Sequence, residues 1–284
     1  MMKYLSVSLL AAAMLATSGA QAAPPSYAKH SAEEIMAMEL APEKLGLEIV
    51  KEADLRDFGF GDFEVELEMT LRNAHNQEST REQRNQTFEM VDPNLGDKTL
   101  IIFDRPRDVK GTAFLTYSKI LEPDDQWLYL PSLKRVKRIA SKNKSGPFVG
   151  SEFAYEDISS QEVAKYTYKY LKQETCPTAA ALKCFVVERY PAYEYSGYSK
   201  QISWIDTEHF RLQKVDFYDR KQDLLKSLTY AGYQQYLKQY WRADQFLMVN
   251  KQTGKSTDIN WKGYKFRTGL SEDQFTKKKL KNTK

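Results

Sequence analysis

Residues 63–72 read FEVELEMTLR, a pattern whose like recurs over most of the chain. Apolar side chains occupy every second position of it: Phe63, Val65, Leu67, Met69 and Leu71. Successive side chains of a strand point to opposite faces, so this period of two predicts a β-strand with one buried and one wet face. Three glutamates alternate with the apolar residues, and we interpret them as a solvated outer face rather than as catalytic acids.

Similar strand patterns recur at short intervals over most of the chain. Strands are predicted near 83–91, 98–104, 112–121, 126–130, 135–140, 164–173, 184–190, 199–206, 210–219, 224–231, 242–250 and 256–265. Helices are predicted near the ends, over 31–40, from Pro42 to about Arg56, and within 270–280, and a short helix is predicted to begin at Ser151 or Glu152. Many short strands without an alternating βαβ spacing favour a mainly β (α+β) fold, either a barrel or a strongly curved antiparallel sheet.

The N-terminus has the pattern of a secretory signal peptide. Lys3 supplies a positive start, residues 5–16 form a short apolar run, and Ala20-Gln21-Ala22 has the small-x-small form of a cleavage site. We therefore predict a signal peptide over 1–22 and a single soluble, exported domain over 23–284. No cysteine lies near the cleavage site, so we expect no lipid anchor, and the type of signal is typical of a bacterial periplasm.

The chain has two cysteines, Cys176 and Cys184. An even count in an exported chain favours a disulfide, here across a hairpin loop at 177–183, and a metal site would lack a second pair of ligands. The histidines at positions 30, 75 and 209 are too widely spaced to form a metal motif, so no metal or cofactor is expected. A net charge of +4 in an exported protein does not indicate nucleic acid.

Two features of residues 114–158 suggest a functional surface. Basic residues cluster from Lys134 to Lys142, and we interpret Arg135, Lys137 and Arg138 either as a solvated edge strand or as a contact for an anionic head group or docking partner. Glycines at 146 and 150 then bracket an aromatic segment. That segment is either an ordinary loop packed on the core or a hinged lid over a cavity.

The chain resembles the outer-membrane lipoprotein-sorting family, the LolA-like periplasmic carriers, and is most similar to a longer subgroup of it. The matching motifs are Phe103-Asp104-Arg105-Pro106, Lys110-Gly111-Thr112-Ala113-Phe114-Leu115, Trp127-Leu128-Tyr129-Leu130-Pro131, Arg135-Val136-Lys137-Arg138-Ile139 and Phe148-Val149-Gly150-Ser151-Glu152-Phe153 with Tyr155-Glu156-Asp157. The resemblance implies an unclosed, strongly curved antiparallel β-barrel with helices forming a lid over an apolar cavity. It also implies acyl chains of lipoproteins or another lipid as cargo.

We therefore expect a monomeric, non-enzymatic carrier that moves lipidated protein or lipid toward the outer membrane. The alternative is a lipid-sensing module that works with an inner-membrane transporter of the RND type, and a less favoured third is an enzyme built on Glu156 and Asp157. Predicted cavity-lining residues are Phe63, Val65, Leu67, Met69, Leu71, Phe114, Trp127, Tyr129, Phe148 and Phe153. Their facing follows from alternation alone.

Overall fold

The computed structural model of the chain describes residues 29–92 and 94–282. The predicted signal peptide, residues 1–22, lies outside that part of the chain. Within it, no helix combines the length and the apolar character that a membrane crossing requires.

Two helices precede the sheet. Helix α1 (Ala32–Met36) begins at a capping box, in which Ser31 and Glu34 each accept a hydrogen bond from the other's backbone N–H. Helix α2 (Pro42–Asp57) begins at a proline, whose missing N–H is no loss in the first turn of a helix. Both helices were predicted, but α1 is shorter than the predicted 31–40.

Thirteen strands follow, and all of them were predicted. They are β1 (Asp62–Arg72), β2 (Glu78–Phe88), β3 (Leu95–Arg105), β4 (Ala113–Lys119), β5 (Asp125–Leu130), β6 (Arg135–Ile139), β7 (Tyr166–Cys176), β8 (Ala179–Pro191), β9 (Tyr198–Asp206), β10 (Leu212–Asp219), β11 (Leu224–Tyr236), β12 (Tyr240–Asn250) and β13 (Ser256–Phe266). They form one antiparallel sheet in the order β6-β5-β4-β3-β2-β1-β13-β12-β11-β10-β9-β8-β7. A short helix α3 (Lys277–Leu280) ends the described chain.

The sheet is curved and unclosed, as expected. Strands β6 and β7 are its two edges, although they are neighbours in the chain. The connection between them, residues 140–165, contains only short 3₁₀ turns. It lies inside the curve of the sheet, where Phe148 packs against Phe103 of β3 and Phe114 of β4.

Three apolar clusters hold the fold together. The largest fills the inside of the curve with side chains from both halves of the sheet and from the connection. A second joins α1 and α2 to β7–β9 through residues such as Ile49 and Phe185. The third lies on the outer face of β3–β5, where the C-terminal segment inserts Phe275 and Leu280. Strands β3–β5 are thus covered on both faces.

Cys176 and Cys184 form the predicted disulfide, with their Cα atoms 5.0 Å apart. The hairpin around it is tighter than predicted, because β8 begins at Ala179 and only Pro177 and Thr178 separate the two strands. A bulge after Thr175 lets two cysteines eight positions apart meet across the hairpin. The disulfide thus links the end of edge strand β7 to its neighbour β8.

Gly46 permits a close approach of α2 to β7. A Cβ atom at this position would lie 2.7 Å from the backbone nitrogen of Tyr170 in β7. We expect Gly46→Ala to lower the free energy of unfolding by about 1–3 kcal/mol through overpacking, although alanine is the better helix former. Urea denaturation checks this. Lys44→Ala, exposed on the same helix, should change stability by less than about 0.5 kcal/mol; a stabilised Gly46→Ala protein would contradict the account.

Candidate ligand cavity and its plug

Residues 144–160, called the plug below, form the middle of the connection between the two edge strands. The side chains of Phe148 and Phe153 are buried, at 1% and 4% exposure. Phe148 also packs edge-on against Tyr155 with ring centroids 5.6 Å apart. The backbone N–H of Phe148 donates to the carbonyl of Phe153 at 2.7 Å, which closes the plug into a compact loop. The plug therefore belongs to the inner core.

A buried ion pair anchors the plug to the far half of the sheet. Lys226 Nζ of β11 donates to Asp157 Oδ2 of the plug at 2.7 Å, and the two side chains are 4% and 6% exposed. Lys226 also donates to the Glu152 carbonyl at 2.8 Å. The Tyr198 hydroxyl donates to the second carboxylate oxygen of Asp157 at 2.8 Å. Each charge thus has several partners, as a buried pair requires.

Further hydrogen bonds fasten the plug to both halves of the sheet. On one side, Gln126 of β5 donates to the Tyr155 carbonyl at 2.9 Å, and Arg81 of β2 donates to the Val149 carbonyl. On the other, Asn250 of β12 donates to Glu152 Oε2 at 2.8 Å. The plug therefore bridges β2 and β5 to β11 and β12 through the interior.

Glu156 is buried at the base of the plug. Its carboxylate accepts hydrogen bonds from the Gly197 backbone at 2.8 Å and from the Ser196 hydroxyl at 3.0 Å. Burial raises the pKa of Glu156, and neighbouring Asp157 raises it further. A Cβ atom at position 197 would lie 2.8 Å from Glu156 Oε1, so the glycine makes this contact possible.

A cavity of about 830 Å³ remains between the sheet, the plug and α2. Its apolar wall comes from β1, from β11–β13 and from the plug, and includes Leu67, Met69, Phe148, Phe153, Tyr230, Phe246, Ile259 and Trp261. Exposed Lys238 and Gln239 of the β11–β12 turn also line it. The cavity therefore reaches the surface between this turn and the end of α2.

One wall of the cavity is polar. Gln83, Asn85 and Thr87 of β2 line it side by side, and Asp97 of β3 and Asp54 of α2 continue the polar surface. Burial raises the pKa of Asp97 to about 7, and the neighbouring carboxylates add to the shift. The same cause raises the pKa of Asp54 to about 6. The cavity thus joins an apolar wall to a wall that can accept and donate hydrogen bonds.

The structure distributes the predicted site residues over several places. Five of them line the cavity: Phe63, Leu67, Met69, Phe148 and Phe153. Val65 is buried outside the lining, while Leu71 packs against the inner core. Phe114 is fully buried beneath the plug, where Phe148 and Tyr155 cover it.

The predicted facing of Trp127 and Tyr129 is corrected by the structure. Both side chains lie on the outer face of β5, in the cluster that contains Phe275 and Leu280. Leu128, between them, points into the inner core instead. Because the C-terminal segment covers the outer face, β5 is apolar on both sides, and alternation gives no signal for which side is inner.

The glycine-bracketed segment predicted as a loop or lid is the plug. It contains two short 3₁₀ turns, Phe148–Gly150 and Tyr155–Asp157, rather than the helix predicted to begin at Ser151 or Glu152. Val149 has a φ of 46°, a left-handed conformation that a β-branched residue rarely adopts. The surrounding contacts hold this conformation, so the plug is strongly constrained.

The predicted basic surface lies on edge strand β6. Arg135, Lys137 and Arg138 are exposed there, and Arg138 forms an ion pair with Asp125 of β5. Charged side chains along an edge discourage pairing with a foreign strand, and they can equally meet an anionic surface. No three or more His, Cys, Asp or Glu side chains in the described part of the chain are placed to hold a metal ion.

Sequence reasoning missed the cavity residues of β2 and of β11–β13. Ile259 and Trp261 alternate with polar residues, so their facing was available from the period of two. Gln83 and Asn85 had no such signal, because β2 is polar on both faces.

An open, curved antiparallel sheet around an apolar cavity defines the LolA-like class of carrier folds, and comparisons support this. A family model described as "Uncharacterized protein" matches residues 96–282. A putative outer membrane lipoprotein-sorting protein domain from Vibrio parahaemolyticus is 53% identical; the match covers 84% of this chain and 99% of that one, with a TM-score of 0.81. The chain belongs to this outer-membrane lipoprotein-sorting family.

Two more distant structures are also similar. A DUF1329 family protein from Desulfovibrio piger is 28% identical over 85% of this chain and 100% of its own, with a TM-score of 0.79. A LolA superfamily protein from Nitrosomonas europaea is 21% identical over 82% of this chain and 98% of its own, with a TM-score of 0.65, and it shares the fold. No curated protein matches the chain by sequence.

We expect Lys226→Met to lower the free energy of unfolding by about 3–5 kcal/mol, because it leaves Asp157 buried without its cation. Adding Asp157→Asn to this variant should recover part of the loss, since no buried charge then remains. Urea denaturation of the single and double variants measures both effects. The control is Lys262→Ala in the exposed pair with Glu68, which should cost about 0–1 kcal/mol; equal losses at both lysines would contradict the anchoring role.

The raised pKa of Asp97 predicts a pH dependence of stability. Between its folded pKa of about 7 and the unfolded value near 4, the folded state binds this proton more tightly. The free energy of unfolding should therefore increase as the pH falls through 7 toward 5. Asp97→Asn should flatten this increase in denaturation series, whereas Asp108→Asn, exposed and outside the cavity, should not. An unchanged pH profile in Asp97→Asn would refute the assignment.

Proposed function

We propose that this protein is a non-enzymatic periplasmic carrier. It holds the acyl chain of a lipoprotein or another lipid in the cavity and passes it toward the outer membrane. The observation that carries the proposal is the cavity of about 830 Å³, which lies within the ~300–1,000 Å³ typical of ligand sites. The family relationship to a lipoprotein-sorting domain agrees with it.

The physical demand on such a carrier is to hide apolar area from water. Exposure costs about 0.8 kcal/mol per methylene, so a sixteen-carbon chain costs on the order of 10 kcal/mol. Leu67, Phe246 and Ile259 on three neighbouring strands supply a continuous apolar wall for it. Because the sheet is unclosed, this wall can enclose a ligand and can also be reached from the surface.

Cargo enters, in this proposal, between the β11–β12 turn and the end of α2. Exposed turn residues and buried wall residues line one continuous cavity there. Aromatic rings surround the opening. The ring centroid of Phe63 lies 5.5 Å from the ring centroids of Phe60 and Phe266. The plug, fastened from both sides, serves as the floor of the cavity. Its movement about Gly146 and Gly150 stays a prediction.

The basic edge strand favours a second candidate function. The exposed cations of β6 lie at a sheet edge, where they can contact an anionic membrane surface or an acidic partner. A module that senses lipid while docked on an inner-membrane transporter would use this edge. A transfer assay between labelled inner- and outer-membrane vesicles separates the two: transfer supports the carrier, and stable capture by one inner-membrane protein without transfer supports the sensor.

We expect Phe246→Asp to weaken binding of a fluorescent sixteen-carbon fatty acid at least about tenfold, because it places a charge in the apolar wall. The matched control is Leu247→Asp, the next residue of β12, whose side chain is 37% exposed. The control should bind the probe like the wild type. Fluorescence titration measures both affinities, and equal loss in the two variants, or no probe binding by the wild type, would count against the carrier.

A further inference from the structure

Four polar side chains of the cavity lining present a buried atom without a hydrogen-bond partner among the described residues. The atoms are Gln83 Oε1, Asn85 Oδ1, Ser203 Oγ and Trp261 Nε1. Gln83, Asn85 and Ser203 are only 2%, 7% and 4% exposed. Buried polar groups are normally paired, because an unpaired one keeps its full desolvation cost. Four of the six such atoms among the described residues belong to this one lining, and they call for a partner in the cavity.

Three of the four unpaired atoms lie on β2 and β13, the strands on either side of β1, and the fourth, on Ser203, lies on β9. Gln83 lies opposite Leu67 of β1, and Leu67 lies opposite Trp261 of β13, so the three side chains form one row across the sheet. Asn85 is two residues along from Gln83 and therefore shares its face. Among the described residues, the hydrogen-bond partner of the Gln83 amide nitrogen is the Met69 sulfur, at 3.6 Å. The amides thus border the apolar wall directly.

The polarity of this wall increases in one direction. Thr87 comes two residues after Asn85 in β2 and lies opposite Thr99 of β3. Asp97, two residues before Thr99 in β3, also lines the cavity. Beyond them lies Asp54 of α2. A ligand with its chain along β1 and β13 would meet hydrogen-bonding groups close beside that chain.

We propose that the cargo is an amphiphile that carries hydroxyl or amide groups next to its apolar chain, and that Gln83 and Asn85 select it by hydrogen bonding to those groups. A hydroxyl both donates and accepts, so it can satisfy an amide oxygen or an amide nitrogen. A bare hydrocarbon chain can satisfy neither. The inference rests on the proposed carrier function and refines it, because it names a chemical feature by which this cavity distinguishes one lipid from another.

The selecting residues differ from those that build the fold. Gln126, for example, is a buried structural residue whose amide donates to the Ser159 hydroxyl at 2.8 Å. Gln83 and Asn85 leave their amide oxygens unpaired instead, which stabilises nothing in the protein alone. Replacing both with leucine should therefore keep the fold and its stability, while an effect on ligand choice should be large.

The test compares hexadecanoic acid with 3-hydroxyhexadecanoic acid, each displacing a fluorescent fatty acid from the intact mature protein. The wild type should bind the hydroxylated chain about tenfold or more tightly, the effect of one good buried hydrogen bond. In the double variant Gln83→Leu with Asn85→Leu, the ratio should fall to about one. The matched control is Gln86→Leu on the outer face of β2, where Gln86 donates to Glu64; it should keep the wild-type ratio.

The outcomes distinguish a failure of the proposed ligand selection from a failure of the proposed carrier function. Equal affinity of the wild type for both chains, or an unchanged ratio in the double variant, overturns the selection by Gln83 and Asn85 and leaves the carrier in place. Binding of neither chain overturns the carrier and this inference with it. Urea denaturation of the double variant completes the test: a large loss of stability would show that the two amides are structural, which also overturns the inference.

Discussion

The structure depends on one constraint: the chain that joins the two sheet edges must return through the interior. Strands β6 and β7 are neighbours in sequence and the farthest apart in the sheet, so the connection crosses the inside of the curve. The ion pair of Lys226 with Asp157 fixes this crossing at 2.7 Å, and Phe148 fills the inner core beside it. A buried pair is a costly anchor unless its geometry is good, and here Tyr198 and the Glu152 carbonyl supply the remaining hydrogen bonds.

The cavity follows from that arrangement. The plug fills one part of the curve and α2 covers another, and the space between them is the volume that a ligand can use. Its walls are unequal because β2 carries polar residues on its inner face while β1 and β13 carry apolar ones. Acids such as Asp97, with a pKa raised by burial to about 7, lie at its polar end. An apolar chain with a polar group attached fits such a site better than a bare hydrocarbon does.

The fold was accessible from sequence because its strands are numerous and most show a clear period of two, as residues 63–72 do. The candidate site was accessible only in part. Trp127 and Tyr129 were assigned to the cavity, but strands covered on both faces lose the alternation that tells inner from outer. The segment predicted as either a loop packed on the core or a hinged lid is the buried plug, and its anchoring was not predictable because the partners that hold it, such as Lys226 and Asn250, are distant in sequence. Nothing in the sequence indicated that Gln83 and Asn85 line a cavity, because a strand with polar residues on both faces is normally interpreted as exposed.

The central claim is that the cavity beside the plug carries an amphiphile in the cell. Mass spectrometry of the intact protein, purified without detergent from the cells that export it, tests this most directly. We expect a bound lipid-sized molecule at about one equivalent, which is absent from Phe246→Asp and retained by Leu247→Asp. A wild-type protein that carries nothing under these conditions, and takes up nothing when returned to an extract of its own membranes, would contradict it.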